Sequence, residues 1–93
     1  MTEAVLFCPS HQAMPVARFD YGWRPAPGFT RDRMAFETPQ GERIAHVARL
    51  QGLRHRARGL RVYIGHGCAP EDVEEIRFMA RTGRFTVIEE PTR

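Results

Sequence analysis

Near the end of this 93-residue chain the apolar run Leu60-Arg61-Val62-Tyr63-Ile64 is followed by a glycine-bounded turn, an amphipathic stretch and a second apolar run, Arg84-Phe85-Thr86-Val87-Ile88. No other feature narrows the fold as much. Each run is short and bounded by turn residues, so it reads as a strand and not a helix. The stretch between them has Pro70 at a first helical position and Glu71 and Asp72 where the helix dipole favours negative charge. Val73, Ile76 and Ala80 form one stripe, Arg77 and Arg81 suit the later turns, and Gly83 ends the helix. Strand, helix and strand in that order form a right-handed unit with parallel strands. The predicted class is α/β, one domain over residues 1–93 in two or three layers, with a β-hairpin and a C-terminal βαβ unit.

Upstream, Ala4-Val5-Leu6-Phe7-Cys8 is another buried strand, stopped by Pro9-Ser10. The segment after it reads as irregular. Within it Phe19, Tyr21 and Trp23 alternate with Arg18, Asp20, Gly22 and Arg24, which suggests an extended piece before Pro25-Ala26-Pro27-Gly28 imposes a loop. Residues 33–47 fit a hairpin turning at Pro39-Gln40-Gly41, with Phe36 opposite Ile44, Met34 opposite His46, and Glu37 opposite Arg43 in a cross-strand ion pair. The competitor is a helix from Pro39 to about Arg56, capped by Thr38. Its stripe of Ile44, Val47 and Ala48 fades at Gln51 and Gly52, so the hairpin is preferred.

All fourteen basic residues are arginine. Without lysine there is no phosphate-loop lysine, no Schiff base and no lysine general base. The net charge of +3 is uneven, because residues 1–61 are basic and residues 62–93 mildly acidic. Arg43, Arg49, Arg54, Arg56, Arg58 and Arg61 follow one another with no intervening acid, a pattern suited to tracking a phosphate backbone. Tyr21 and Trp23, flanked by arginines, are candidates for base stacking, for anchoring a protein partner, or for the core. The plain alternative for the arginines is a solubilising surface. No stretch approaches the roughly 20 apolar residues of a membrane span, and two cysteines suit a reducing, cytoplasmic setting.

Gly65-His66-Gly67-Cys68 lies between a parallel strand and a helix, where open α/β sheets bind ligands, and is the candidate ligand or interaction site. The ordinary reading is that a tight strand-to-helix turn needs glycine. Cys8, His11, His66 and Cys68 are weighed as zinc ligands, but His-x-Cys is shorter than the usual ligand spacing. A Cys-His nucleophile lacks an orienting group identifiable by spacing. No catalytic residue, metal or cofactor is assigned.

In order along the chain, Pro9-Ser10-His11-Gln12-Ala13 after an apolar strand, the Phe-containing hairpin over Arg33 to Ile44, Leu50 to Leu53, Val62-Tyr63-Ile64, Ala69-Pro70-Glu71-Asp72 and Phe85-Thr86-Val87-Ile88 resemble the ATPase lobe of the large terminase subunit, the motor that packages phage DNA. The likeness covers most of the chain at the level of pattern. It departs where the chemistry lies: the glycine-rich phosphate loop is absent, and Gly65-His66 stand where the acidic pair is expected. Phosphoryl transfer then lacks its phosphate cradle and metal-binding acid. The resemblance implies a catalytically silent, phage-like relative. The expectation is a non-enzymatic accessory protein of phage or bacterial origin that contacts nucleic acid through its arginines. The alternative is a protein-binding module anchored by Trp23 and the proline-rich loop, with a small enzyme using His66 and Cys68 as a third.

Overall fold

The computed structural model describes residues 4–54 and 59–88. Its strands are β1 (Ala4–Phe7), β2 (Arg24–Pro25), β3 (Ala35–Glu37), β4 (Arg43–Val47), β5 (Leu60–Ile64) and β6 (Phe85–Ile88). They form one six-stranded sheet in the order β2-β3-β4-β1-β5-β6. Three α-helices connect them: α1 (Ser10–Pro15), continued by a π-helical stretch over Val16–Asp20, then α2 (Leu50–Arg54) and α3 (Pro70–Arg81). Strands β4, β1, β5 and β6 are parallel, while β3 and β2 extend the sheet antiparallel beyond β4. The chain is therefore α/β, with β5-α3-β6 as its C-terminal βαβ unit.

Chirality decides the layers. The chain leaves β1 toward β4 on one side and later travels from β4 over β1 to β5 and on to β6. Right-handed crossovers in opposite directions must lie on opposite faces of the sheet. On one face Ala13, Val16 and Ala17 pack with Ala4, Leu6, Cys8, Phe36 and Ile44. On the other, Leu53, Ile76 and Met79 pack with Val5, Phe7, Val62 and Phe85. Strand β1 is paired on both sides and covered on both faces, which is why Ala4-Val5-Leu6-Phe7 is apolar without alternation. In β5, Leu60, Val62 and Ile64 face α3, while Arg61 and Tyr63 face the α1 side.

Residues 10–20 are helical, not the irregular and extended segment that the aromatic alternation suggests. Ala13, Val16 and Ala17 have the i, i+3, i+4 spacing of a buried helical stripe. Pro15 interrupts it: having no N–H, it cannot bond to the carbonyl one turn earlier. Beyond it the helix widens, and the Tyr21 N–H reaches the Val16 carbonyl at 3.2 Å, five residues back. Tyr21 and Trp23 lie beyond the helix and fold inward. Their rings stack with centroids 4.5 Å apart, and both meet Tyr63 edge-on.

The hairpin forms, and the long helix from Pro39 does not. Phe36 pairs with Ile44 and Glu37 with Arg43, and the His46 N–H bonds to the Met34 carbonyl at 3.0 Å. Thr38 and Glu42 close a three-residue loop in which Gly41 takes φ +86°, a left-handed position that suits glycine. The expected ion pair is different. Glu37 accepts from Arg24 Nε at 3.0 Å, because β2 brings Arg24 into register with Glu37. Arg43 is thereby left for other work.

Candidate functional site

Strand β1 and its neighbours β4 and β5 send their connections to opposite faces, so their carboxyl ends flank topological switch points. Two loops rise beside β1 there: Gly65 to Ala69 after β5, and Ala48-Arg49 after β4.

The β5 side is filled by the chain itself. A Cβ added to Gly65 would lie 2.9 Å from Val16 Cγ1 and 3.1 Å from Cys8 Cβ. Gly67, at φ +83°, faces Gln12 and Pro9. Both glycines thus admit α1 and its π-helical extension to the sheet. His66 Nε2 stands 3.1 Å from Asp20 Oδ2, and the Tyr21 hydroxyl donates to the Ile64 carbonyl at 3.0 Å. Glu71 and Asp72 already occupy the first turn of α3, where they repel an incoming anion.

Cys68 Sγ donates to the carbonyls of Phe7 and Gly65. Burial pushes the Cys8 thiol up to about 12, with a smaller contribution from neighbouring Cys68. Burial and then the charge of Asp72 raise Cys68, against the opposing Gly65 hydrogen bond. Both are poor nucleophiles at neutral pH, since the thiolate is the reactive form. Among the described residues no group of three or more His, Cys, Asp or Glu is placed to hold a metal ion.

Among the described residues of the arginine-rich run, Arg54 and Arg61 do not share one face of the sheet. Arg54 is paired with Glu75 at 3.4 Å, and its carbonyl accepts a hydrogen bond from Arg84 Nη2 at 2.7 Å. Arg61 is paired with Glu42. Arg49 is exposed at the carboxyl end of the β4 connection. Arg56 and Arg58 lie outside the described residues. Trp23 is only 6% exposed and belongs to the core on the α1 face.

The β4 side is open. A groove of about 430 Å³ reaches Ser10 and Ala48, just beyond the ends of β1 and β4, and is lined by Arg31, Asp32, Arg33, Arg43 and His46. Three arginines and one aspartate line it, and none of the three arginines is in an ion pair with another described residue. Local backbone geometry positions two of them. Thr30 and Arg33 exchange backbone hydrogen bonds at 3.2 and 3.4 Å, and the Arg33 N–H also bonds to Thr30 Oγ1, so Arg31-Asp32 is a clamped two-residue tip. Arg43 joins from β4, whose pairing with β3 brings the 31–33 tip alongside.

His46 is half-buried in the same groove. Its Nε2 is 2.8 Å from the Cys8 carbonyl, which only accepts, so Nε2 carries the proton and Nδ1 is the accepting nitrogen. Desolvation lowers its pKa, with the Cys8 carbonyl bond opposing, and the ring is predominantly neutral at pH 7. The groove therefore combines three cationic donors, one carboxylate, a hydroxyl and one neutral acceptor. The sequence carried one signal for it, the Arg31-Asp32-Arg33 triplet after Pro27-Gly28, which is sparser than the arginine run downstream.

No protein-family model matches the chain, and no curated protein or solved structure matches it. Function is then argued from the site and not from kinship.

Proposed function

We propose that this protein is a non-enzymatic accessory factor that binds nucleic acid phosphates through the groove at the carboxyl ends of β1 and β4. One observation carries the reading: Arg31 and Arg33 from the 31–33 tip and Arg43 from β4 line one groove without intramolecular ion partners among the described residues. Guanidinium groups bind phosphate in a forked geometry, and an arginine not already paired loses no protein ion pair on binding. Arg49, exposed near the same edge, extends the positive surface, whereas Arg54 and Arg61 are engaged with Glu75 and Glu42. The absence of lysine and the raised thiols of Cys8 and Cys68 support a binding role. A silent kinship with the terminase ATPase lobe, and with it a phage or bacterial setting, belongs to the same proposal.

The test is a salt titration of binding to mixed-sequence DNA and RNA. Replacing Arg31, Arg33 and Arg43 with Gln removes three phosphate contacts and lowers the log–log salt slope by about 2 to 3 units. Arg54→Gln, the matched control, leaves the slope nearly unchanged. No binding by the wild-type protein at about 50 mM salt, where phosphate contacts are strong, overturns the reading. A protein partner meeting exposed Phe19 and Phe78 then becomes the better account.

A further inference from the structure

The arginine groove is the polar half of a larger hollow. A second cavity of about 500 Å³ adjoins it, lined by His11, Met14 and Phe29, and shares Ser10, Arg31 and Met34 with it. The two chambers differ in chemistry: arginines dominate the first, whereas two methionines and an aromatic ring wall the second. Each volume falls in the range of about 300–1,000 Å³ common for small-molecule sites.

Phe29 is held in place before any ligand arrives. Pro27 and Gly28, the latter at φ +84°, occupy the centre of a β-turn closed by the Phe29 N–H on the Ala26 carbonyl at 3.1 Å. Proline followed by a left-handed glycine is the signature of a type II turn. The Phe29 ring rests against Phe36 at 5.7 Å between centroids, and Phe36 is fully buried. Phe29 itself remains half-exposed at the cavity wall. The same short arm, residues 26–34, thus supplies a fixed aromatic ring to one chamber and Arg31 and Arg33 to the other.

A ligand spanning both chambers needs an anionic end and a flat, largely apolar end, joined over the shared wall at Ser10, Arg31 and Met34. We infer that the hollow takes a single nucleotide unit, with its phosphate in the arginine groove and its base against Phe29, Met14 and Met34. The unit is either a free nucleotide or an unpaired nucleotide of a strand. Every base has a π-face, so an aromatic wall accepts it without sequence preference, and the Arg31 guanidinium plane suits the same stacking. A duplex keeps its bases stacked inside and presents only phosphate to such a site. Neutral His46, with Nδ1 as acceptor, adds a place for a sugar hydroxyl to donate.

This inference rests on the phosphate-binding reading, and the experiment separates the two. Affinities are measured at low salt for a single-stranded 12-mer, its duplex, nucleoside monophosphates and inorganic phosphate. The proteins compared are the wild type, Phe29→Leu, and the triple Arg31, Arg33, Arg43→Gln variant, each with thermal melting as a folding control. Leucine retains an apolar side chain but removes the ring. The expected result is that single strands bind better than duplex and that Phe29→Leu weakens the single strand about ten-fold, with little effect on the duplex or on inorganic phosphate. Ring-proton shifts of Phe29 on adding single strand report the contact directly and remain readable if Phe29→Leu melts early. Monophosphates competing as well as the 12-mer identify a free nucleotide as the ligand, and failure to compete identifies the strand. If duplex and single strand bind equally, both sensitive to the arginines and indifferent to Phe29, the nucleotide inference is overturned while the phosphate reading stands. If nothing binds, both fall.

Discussion

Gly65 distinguishes a glycine kept for a ligand from one kept for packing. The structure places Val16 Cγ1 and Cγ2 at 2.9 and 3.0 Å from where an alanine Cβ would stand, with Cys8 Cβ at 3.1 Å. Val16 is 1% exposed and Cys8 is fully buried, so neither has open space to move into. Overpacking of this kind costs about 1–3 kcal/mol. For a domain of this size 1 kcal/mol corresponds to roughly 5 °C in Tm, so Gly65→Ala should melt about 5–15 °C lower. Val16→Ala alone should cost about 2 kcal/mol from lost burial and a residual void. Combining them lets the new methyl occupy the space that Val16 vacates, so the double variant should be more stable than the sum of the singles by about 1–2 kcal/mol. The rescue is partial, because Cys8 Cβ is tied to the central strand. Thermal and urea unfolding of the four proteins measure the cycle. Strict additivity, or a Gly65→Ala protein that melts like wild type but loses a ligand, would refute the packing account.

Two further outcomes follow from burial. The folded state raises the Cys8 thiol from 9.0 to about 12, so its contribution to stability is complete below pH 9 and is lost as pH rises from 9 toward 12. Urea midpoints should fall across that window, less steeply for Cys8→Ala, and alkylation at pH 8 should be slow until the chain unfolds. Trp23→Ala should cost about 3–5 kcal/mol, because Trp23 stacks on Tyr21 and meets Tyr63 in the core; an unchanged Tm would show that the ring is not a core residue.

The parts of the fold that were legible are those where local pattern and tertiary context agree. Leu60, Val62, Ile64, Phe85 and Val87 are apolar because they lie on parallel strands under α3, and Pro70 to Arg81 carries its start, stripe and stop in its own residues. The hairpin was legible because a period-2 pattern on both sides of Pro39-Gln40-Gly41 fixes one register. Residues 10–20 were not, since two patterns overlap there. Ala13, Val16 and Ala17 mark a helix, but Pro15 interrupts it and the aromatic alternation from Phe19 to Trp23 mimics a strand. The π-helical widening after Pro15 reconciles them, carrying the chain on to Tyr21 and Trp23, whose rings meet Tyr63 on the same face of the sheet.

The site was less legible than the fold for a related reason: charge density along a chain is not charge density in space. Arg54 and Arg61 are close in sequence, yet Arg54, at the end of α2, pairs with Glu75 on α3, whereas Arg61, on the α1 side of β5, pairs with Glu42. Arg31 and Arg43 are twelve residues apart and line one groove, because the antiparallel pairing of β3 with β4 lays the chain leading into β3 beside β4. That pairing also sets the occupant. By taking Glu37 for itself, Arg24 on β2 leaves Arg43 without the carboxylate opposite it in the ladder. Arg24→Ala should therefore let Arg43 close on Glu37 and weaken phosphate binding at the groove, although Arg24 does not line it. The same variant in a Glu37→Gln background should bind normally, and weakened binding in both backgrounds would show that Arg24 contacts the ligand itself.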